Sequence, residues 1–218
     1  TGEVPTPAQV RAACAAVGWK KVEVLDLAQP TAEASCRIRL TTGTQLGLGG
    51  VVKGRGVDRV VRQLRALGLE DFVVQAGGDL YLGGHAQRVG LREPRGSPGE
   101  SFASLSVTDA AFSTSGDYEH FFEKGGVRYH HLLDPRTCLP ARASVAVSVL
   151  APSATDAEFL TKAAFILGPS AGLPLLKAWH AEAVWVTPDG RLHTTPGLTT
   201  RLKANRPRGF EPKSGVPR

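Results

Sequence analysis

Residues 49–68 read GGVVKGRGVDRVVRQLRALG, and this stretch joins a glycine-rich entry to the clearest helical pattern of the chain. Apolar residues recur along one face at helical spacing, and they are Val57, Val60, Val61, Leu64 and Leu67. A glycine follows the stripe and acts as a C-terminal stop. The pattern therefore predicts a helix over residues 51–67.

The entry to this helix has the chemistry of an anion site. Lys53 lies between Gly50 and Gly54. Free amides, the helix dipole and an ammonium group at a helix N-terminus together favour an anion such as phosphate. The alternative explanation needs no ligand: the lysine is solvated, and Asp58 forms an ion pair with Arg62, four residues further along the helix. The spacing is not that of a Walker A loop, which needs a Ser or Thr after the Lys.

Four further polar clusters follow in the chain. They are Gly77-Gly78-Asp79 after the apolar strand 72–75, Ser113-Thr114-Ser115-Gly116-Asp117-Tyr118, His131 to Thr137, and a helical stretch around Glu158 and Lys162. Glycines let backbone amides approach a ligand closely, and the interspersed charges suit a phosphate-bearing ligand.

Each cluster also has an ordinary structural explanation. Asp79 at a strand end and the hydroxyls of Thr114 and Ser115 fit a ligand pocket, but they fit capped turns equally well. His131 and Asp134 are three residues apart, so they are candidates to orient a phosphate or to share a proton. Only the set of clusters, in this order, favours a binding site.

Length and composition indicate an ordinary soluble globular protein of one or two domains. The 218 residues are 42% hydrophobic and 21% charged, and the net charge is +6. Much of the positive excess lies in a Pro/Gly-rich tail over residues 201–218. No nucleic-acid motif accompanies it. No stretch approaches the roughly 18 apolar residues of a membrane span.

The cysteines give little guidance. Cys14, Cys36 and Cys138 form no CxxC pair and are odd in number, which argues against a structural zinc site or a disulfide framework. One disulfide in an oxidising compartment stays open.

The remaining patterns predict helices and strands without strict alternation. Expected helices cover residues 7–17, a stretch begun by Thr155 or Asp156 and ended by Gly168, and 171–179. Expected strands cover residues 21–27, 35–41, 72–75, 80–82, 104–108, 110–113, 121–123, 127–133, 144–150, 183–187 and 191–194. This mixture favours an α+β or mixed layered α/β domain over residues 1–200.

Taken together, the five clusters resemble the ApbE family of flavin transferases. The family pattern runs Leu-Gly-Gly-Ile-Ala-Lys-Gly-x-x-x-Asp, Gly-Gly-Asp, Thr-Ser-Gly-Asp-Tyr, His-x-Ile-x-Asp-Pro-x-Thr-Gly and Ala-Asp-Ala-x-x-Thr-Ala. Residues 48–58, 76–79, 113–118, 131–137 and 157–168 match it in order. The resemblance implies the T-fold-like architecture of that family, with its N-terminal segment missing from this sequence.

The resemblance also implies a reaction and a set of site residues. Family members move FMN from FAD to a Thr or Ser of an acceptor protein and release AMP, usually with Mg²⁺. The implied catalytic residues are His131 and Asp134. The implied FAD-binding residues are Gly50, Lys53, Gly54, Asp58, Gly77, Gly78, Asp79, Thr114, Ser115, Gly116 and His131.

Three departures from the family pattern bear on this expectation. The family's metal-binding Asp and Thr fall at Glu158 and Lys162, beside a backbone carbonyl from Val52. An ammonium at residue 162 would compete with a metal for the carboxylate of Glu158. Cys138 replaces the family's Gly, which predicts a turn without positive φ. The third departure is the missing N-terminal segment.

The expected function is therefore FAD:protein FMN transfer, with two alternatives. One is an FAD-binding homologue without transfer activity, and the other is an FAD pyrophosphatase that forms FMN and AMP. The resemblance further implies a periplasmic or membrane-anchored lipoprotein, although a cytoplasmic location stays open. No nucleic-acid partner is expected.

Overall fold

The computed structural model describes residues 2–25 and 37–205. The helices are α1 (Pro7–Cys14), α2 (Val52–Ala66), α3 (Ala154–Ala178) and α4 (Pro196–Thr199), with a 3-10 turn at Trp19–Lys21. The strands are β1 (Val22–Val24), β2 (Ile38–Leu40), β3 (Phe72–Ala76), β4 (Asp79–Gly83), β5 (Gln87–Arg92), β6 (Ser101–Val107), β7 (Ala110–Gly116), β8 (Phe121–Lys124), β9 (Val127–His130), β10 (Leu133–Asp134), β11 (Leu139–Pro140), β12 (Ala146–Ala151), β13 (Glu182–Val186), β14 (Leu192–Thr194) and β15 (Leu202–Ala204).

Three layers build the core. An antiparallel sheet in the order β14-β13-β12-β7-β4-β3 forms the middle layer. Helices α2 and α3 pack on one face, where they share one apolar cluster with the sheet. The sheet β15-β6-β5 covers the other face through a second cluster. The predicted α+β, mixed layered class is confirmed.

Strand β12 shows why the middle sheet lies between two layers. Its residues are all buried. Val147 and Val149 belong to the cluster under the helices, whereas Leu150 belongs to the cluster between the sheets. Side chains alternate across a strand, so both faces of β12 need an apolar cover.

Helix α3 contains the break that its sequence predicts. Gly168 has φ 72° and ψ 178°, so the helix is kinked there, and a side chain at this position would meet the Cβ of Ala143 at 3.0 Å. The predicted N-cap was wrong. Ser153 caps the helix instead, because its hydroxyl accepts the N–H of Asp156 at 3.0 Å.

Helix α3 is also long and apolar enough, by length and composition, to cross a membrane. The sequence analysis had found no such stretch. In the structure α3 lies against β7, β12 and α2. Leu160, Ala164 and Phe165 are fully buried there. One face of this apolar helix therefore packs in the core.

Several strands differ from the sequence prediction. Strands β5 and β15 were not predicted, and β15 lies in the predicted tail yet pairs with β6. Strand β7 continues to Gly116, so the residues expected to begin a turn at Thr114 are in the sheet. Strand β15 owes its extended form to pairing with the distant strand β6, whereas β5 pairs with the next strand of the chain.

Parts of three predictions lie outside the described residues. The strands expected at 21–27 and 35–41 appear as β1 and β2 within the described part, and they pair with each other. Residues 26–36 and 206–218, which hold the rest of these strands, Cys36 and most of the tail, lie outside it.

The contact between α2 and α3 depends on a glycine in the first turn of α2. A Cβ on Gly54 would lie 2.3 Å from the carbonyl oxygen of Ala154 and 2.8 Å from the Cα of Thr155. Both atoms are backbone, so neither is free to move aside. Only glycine lets the two helices approach this closely.

We expect Gly54→Ala to destabilise the fold by about 1–3 kcal/mol, because the added methyl group overpacks the helix contact. Gly56→Ala is the matched control. Gly56 lies in the same helix with nothing near its Cβ position, so this change should stabilise the protein by up to about 1 kcal/mol. Urea denaturation of both variants measures the difference. Equal stability of the two variants would show that the helices need no close approach.

Candidate active site

Lys53 reaches from the first turn of α2 to a carboxylate on the sheet. Its ammonium nitrogen lies 2.6 Å from Oδ2 of Asp79, the first residue of β4. Asp79 is almost fully buried, whereas the Lys53 side chain is 47% exposed. Burial alone would lower the pKa of Lys53, but Asp79 and then Glu158 outweigh it, and the pKa is raised. Lys53 therefore stays charged and open to a ligand.

Glu158 places a second carboxylate beside this pair. It is fully buried on α3. Its Oε2 accepts the N–H of Gly54 at 2.7 Å, so the carboxylate caps the first turn of α2. Its Oε1 lies 3.8 Å from the Lys53 nitrogen and has no hydrogen-bond donor. A negative charge at a helix N-terminus is favoured by the helix dipole.

Lys162 supplies the second ammonium group, as the four-residue spacing predicted. Its nitrogen lies 3.6 Å from Oε1 of Glu158 and donates to the carbonyl oxygen of the same residue at 2.9 Å. Burial lowers the pKa of Lys162, and the charges of Glu158 and Asp79 oppose that shift only in part. Two ammonium groups thus flank two buried carboxylates.

Glycines leave room for these lysine side chains. A Cβ on Gly50 would lie 3.4 Å from Cδ of Lys162, and one on Gly77 would lie 3.7 Å from the Lys53 nitrogen. Gly77 also has φ +62°, which other residues rarely adopt. The structure therefore brings five of the implied FAD-binding residues next to Glu158 and Lys162, and they are Gly50, Lys53, Gly54, Gly77 and Asp79.

Strand alternation explains which polar groups of the sheet join this site. Asp79 and Ser113 are register partners on β4 and β7, and the Ser113 hydroxyl donates to Oδ1 of Asp79. Ser115, two residues further along β7, donates to Oγ1 of Thr161 on α3 at 2.9 Å. Asp79, Ser113 and Ser115 all face the helices. Ala111 lies on the same face of β7 and belongs to the apolar cluster between the sheet and the helices.

Ser113 and Thr161 belong to this network but were not among the predicted site residues. The period of two along β7 was a usable signal for Ser113, because Ser113 and Ser115 must point to the same face. Thr161 gave no such signal, since its partner Ser115 is 46 residues away.

Thr114 faces away from this network. Its hydroxyl lies 2.8 Å from the hydroxyl of Ser148 on β12. Phe112 and Leu150, on the same sheet face, belong to the cluster between the two sheets. Gly116 packs against the ring of Tyr118, since a Cβ at this position would lie 2.3 Å from a ring carbon. Contact of Gly116 with a ligand stays a prediction.

Asp58 holds the N-terminus of α3. Its Oδ1 accepts the N–H of Ala154 at 2.7 Å, and its Oδ2 accepts the N–H of Thr155 at 2.9 Å and the hydroxyl of Thr155. The alternative pairing with Arg62 is not what the structure shows. Asp58 satisfies two free amides of a helix start and so fixes α3 against α2. Contact of Asp58 with a ligand stays a prediction.

His131 and Asp134 do not act as a pair in the structure. The ring of His131 lies edge-on to that of His120, with 5.2 Å between centroids. Asp134 accepts three hydrogen bonds from the side chain of Arg136 and one from its N–H. Partial burial lowers the pKa of His131, so its imidazole is mostly neutral near pH 7.

The turn after Asp134 corrects the prediction for Cys138. This residue has φ 55°, so the position requires positive φ, as the family's glycine would allow. The N–H of Cys138 donates to the Asp134 carbonyl at 2.7 Å, which closes the turn.

Cys138 is also one half of a disulfide with Cys14, whose Cα lies 5.7 Å away. The two residues are 124 positions apart in the chain. Helix α1 has no buried residue. The disulfide is therefore a principal link between α1 and the turn that follows Asp134. The disulfide that the sequence left open is therefore Cys14–Cys138.

This chain is similar to known proteins over most of its length. The model of the ApbE family matches residues 1–185. An FAD:protein FMN transferase of Treponema pallidum is 38% identical over 176 residues, which cover 74% of this chain and 49% of that protein. One of Klebsiella pneumoniae is 32% identical, over 84% of this chain and 57% of that protein.

Solved structures show the same architecture. The ApbE protein of Thermotoga maritima superposes with a TM-score of 0.77 at 30% identity, over 91% of this chain and 64% of that one. The flavinyl transferase ApbE of Pseudomonas stutzeri gives 0.73 at 27% identity, over 91% and 62%. The chain thus spans about half to two thirds of the length of these relatives.

Proposed function

The chain belongs to the ApbE family, and from this premise we propose that it is an FAD:protein FMN transferase. The observation that carries the proposal is the group of Lys53, Asp79 and Glu158 at the N-terminus of α2. A half-exposed ammonium at a helix start suits the pyrophosphate of FAD. The names of the relatives in three organisms agree with this activity.

The proposed reaction is a phosphoryl-type transfer. A Thr or Ser hydroxyl of an acceptor protein attacks the phosphorus of the FMN half of FAD. The bond from that phosphorus to the bridging oxygen breaks, and AMP leaves with the electron pair. Lys53 holds the phosphate oxygens and offsets the charge that develops on them.

Among the described residues, we assign acceptance of the hydroxyl proton to His131, the role that the family resemblance implies. Its lowered pKa leaves the ring neutral near pH 7. Asp134 does not orient it, because Arg136 occupies that carboxylate. Asp134 instead shapes the turn next to His131.

The residues present do not fit a divalent cation site. The family's metal position corresponds to Val52, Glu158 and Lys162. The Lys162 ammonium lies 3.6 Å from Oε1 of Glu158, a buried carboxylate oxygen that has no hydrogen-bond donor. Among the described residues no three His, Cys, Asp or Glu side chains are grouped to hold an ion. We assign to Lys162 the positive charge that a metal ion supplies in the family pattern.

The disulfide supports a location outside the reducing cytoplasm. Disulfides persist in oxidising compartments such as the bacterial periplasm, and Cys14 and Cys138 lie at bonding distance. This proposal places the protein in the periplasm, the location also implied by the resemblance.

Transfer of FMN is tested with purified protein, FAD and candidate acceptor proteins, read by mass spectrometry of the acceptor and by AMP release. AMP and FMN formed without acceptor modification would identify a pyrophosphatase instead. FAD binding without either product would identify a homologue that has lost transfer.

Lys53→Ala should weaken FAD binding about tenfold or more and riboflavin binding little, because only FAD carries the pyrophosphate. Calorimetry with both ligands measures this, and equal weakening would remove Lys53 from the phosphate site.

Lys162→Thr should create a binding site for Mg²⁺, since it removes the competing ammonium and adds a hydroxyl oxygen beside Glu158. The readout is Mg²⁺ or Mn²⁺ titration by calorimetry in the absence of FAD. The unchanged protein is expected to show no saturable binding, and Lys177→Thr, in the last turn of the same helix, serves as control. Tight Mg²⁺ binding by the unchanged protein would contradict the role given to Lys162.

Protein extracted from its own cells under acid quench should carry Cys14 and Cys138 in the oxidised form. Alkylation before and after reduction, followed by peptide mass analysis, distinguishes the two states. Free thiols at both positions would rule out the oxidising location.

A further inference from the structure

A second polar cleft lies apart from the lysine-carboxylate site. It has a volume of about 450 Å³ and is open to solvent. It lies where β9 ends and the chain approaches β12. Arg95, Asp117, Glu123, Arg128, Arg142 and Ser144 supply its polar groups. None of Lys53, Asp79, Glu158 and Lys162 lines it.

Two of the three arginines in the cleft already have carboxylate partners. Arg95 holds Asp117 through two parallel hydrogen bonds of 2.6 and 2.7 Å. Arg128 binds Glu123 at 2.8 and 3.0 Å and lies 3.4 Å from Asp117. These pairs fix the two guanidinium groups in the cleft wall.

Arg142 and Ser144 are the polar residues of the cleft that take no part in this network of ion pairs. Arg142 is exposed and, within the described part of the chain, makes no ion pair. Ser144 is 3% exposed, and its buried hydroxyl has no hydrogen-bond partner. Buried hydroxyl groups normally find a partner. A ligand oxygen in the cleft would provide one.

The charge count of the cleft indicates the kind of ligand. Three guanidinium groups face two carboxylates, which leaves one uncompensated positive charge, on Arg142. His130 adds none. Burial lowers its pKa, and its ring nitrogens are engaged by the carbonyl of Ala141 and the N–H of Leu132. One planar guanidinium and one hydroxyl match a single carboxylate.

We propose that this cleft binds an acidic side chain of the acceptor polypeptide, with Arg142 and Ser144 as its contacts. His130 lines the cleft, and its neighbour in the chain, His131, is the residue proposed above to accept the hydroxyl proton. An acidic residue held here would bring a neighbouring hydroxyl towards the phosphate site. The identity of the polypeptide rests on the proposed function, whereas carboxylate binding does not.

The test uses the full chain without FAD. The ¹⁵N-labelled protein is titrated with the blocked tripeptide acetyl-Ala-Glu-Ala-amide and with its Gln counterpart, and amide shifts around residues 142–145 are followed. The Glu peptide should bind saturably in the millimolar range and the Gln peptide at least fivefold more weakly. Arg142→Gln should weaken the Glu peptide about tenfold. Ser144→Ala should weaken it less, and Arg62→Gln, an exposed arginine on α2, should have no effect.

Equal shifts from both peptides, or binding unchanged by Arg142→Gln, would overturn the proposal. Inorganic phosphate is titrated in parallel, and binding of phosphate in preference to the Glu peptide would assign the cleft to a nucleotide and also overturn it. Because no FAD is present, failure here leaves FMN transfer untouched. Failure of the transfer assay alone would leave the carboxylate site in place but remove its link to an acceptor.

Discussion

The buried carboxylate of Glu158 is the interaction on which both the fold and the site depend. It has no exposed surface, so its charge requires partners inside the protein. One oxygen caps the N-terminus of α2 through Gly54, and the other faces the ammonium groups of Lys53 and Lys162. The same group therefore joins α2 to α3 and sets the electrostatics of the pocket above them.

This arrangement also links packing to chemistry. The Gly54 N–H reaches Glu158 because the absence of a side chain on Gly54 lets the two helices touch. Asp58, one turn later, binds the first amides of α3 and so holds the opposite helix in register. The N-termini of both helices are thus capped by carboxylates of the other helix, and Lys53 is carried to the sheet edge where Asp79 begins β4.

Lys162 adds a positive charge to the site at a position where the family pattern has a threonine. The formal charges of the two ammonium groups and the two buried carboxylates cancel without an added ion. An incoming pyrophosphate would compete with Asp79 for Lys53, whose side chain is the more exposed of the two lysines. The site is therefore organised around charged side chains of the chain itself.

The sequence by itself determined the local features. The helix over 52–66, the break at Gly168 and the pairing of Glu158 with Lys162 follow from spacing, because these contacts lie within one or two helical turns. The motif order also determined the family. What only the tertiary structure decided are contacts between distant residues: Asp58 with Ala154, Cys14 with Cys138, and Ser115 with Thr161. Such partners are separated by 46 to 124 residues, and no local period relates them, so their choice depends on how the sheet and helices pack.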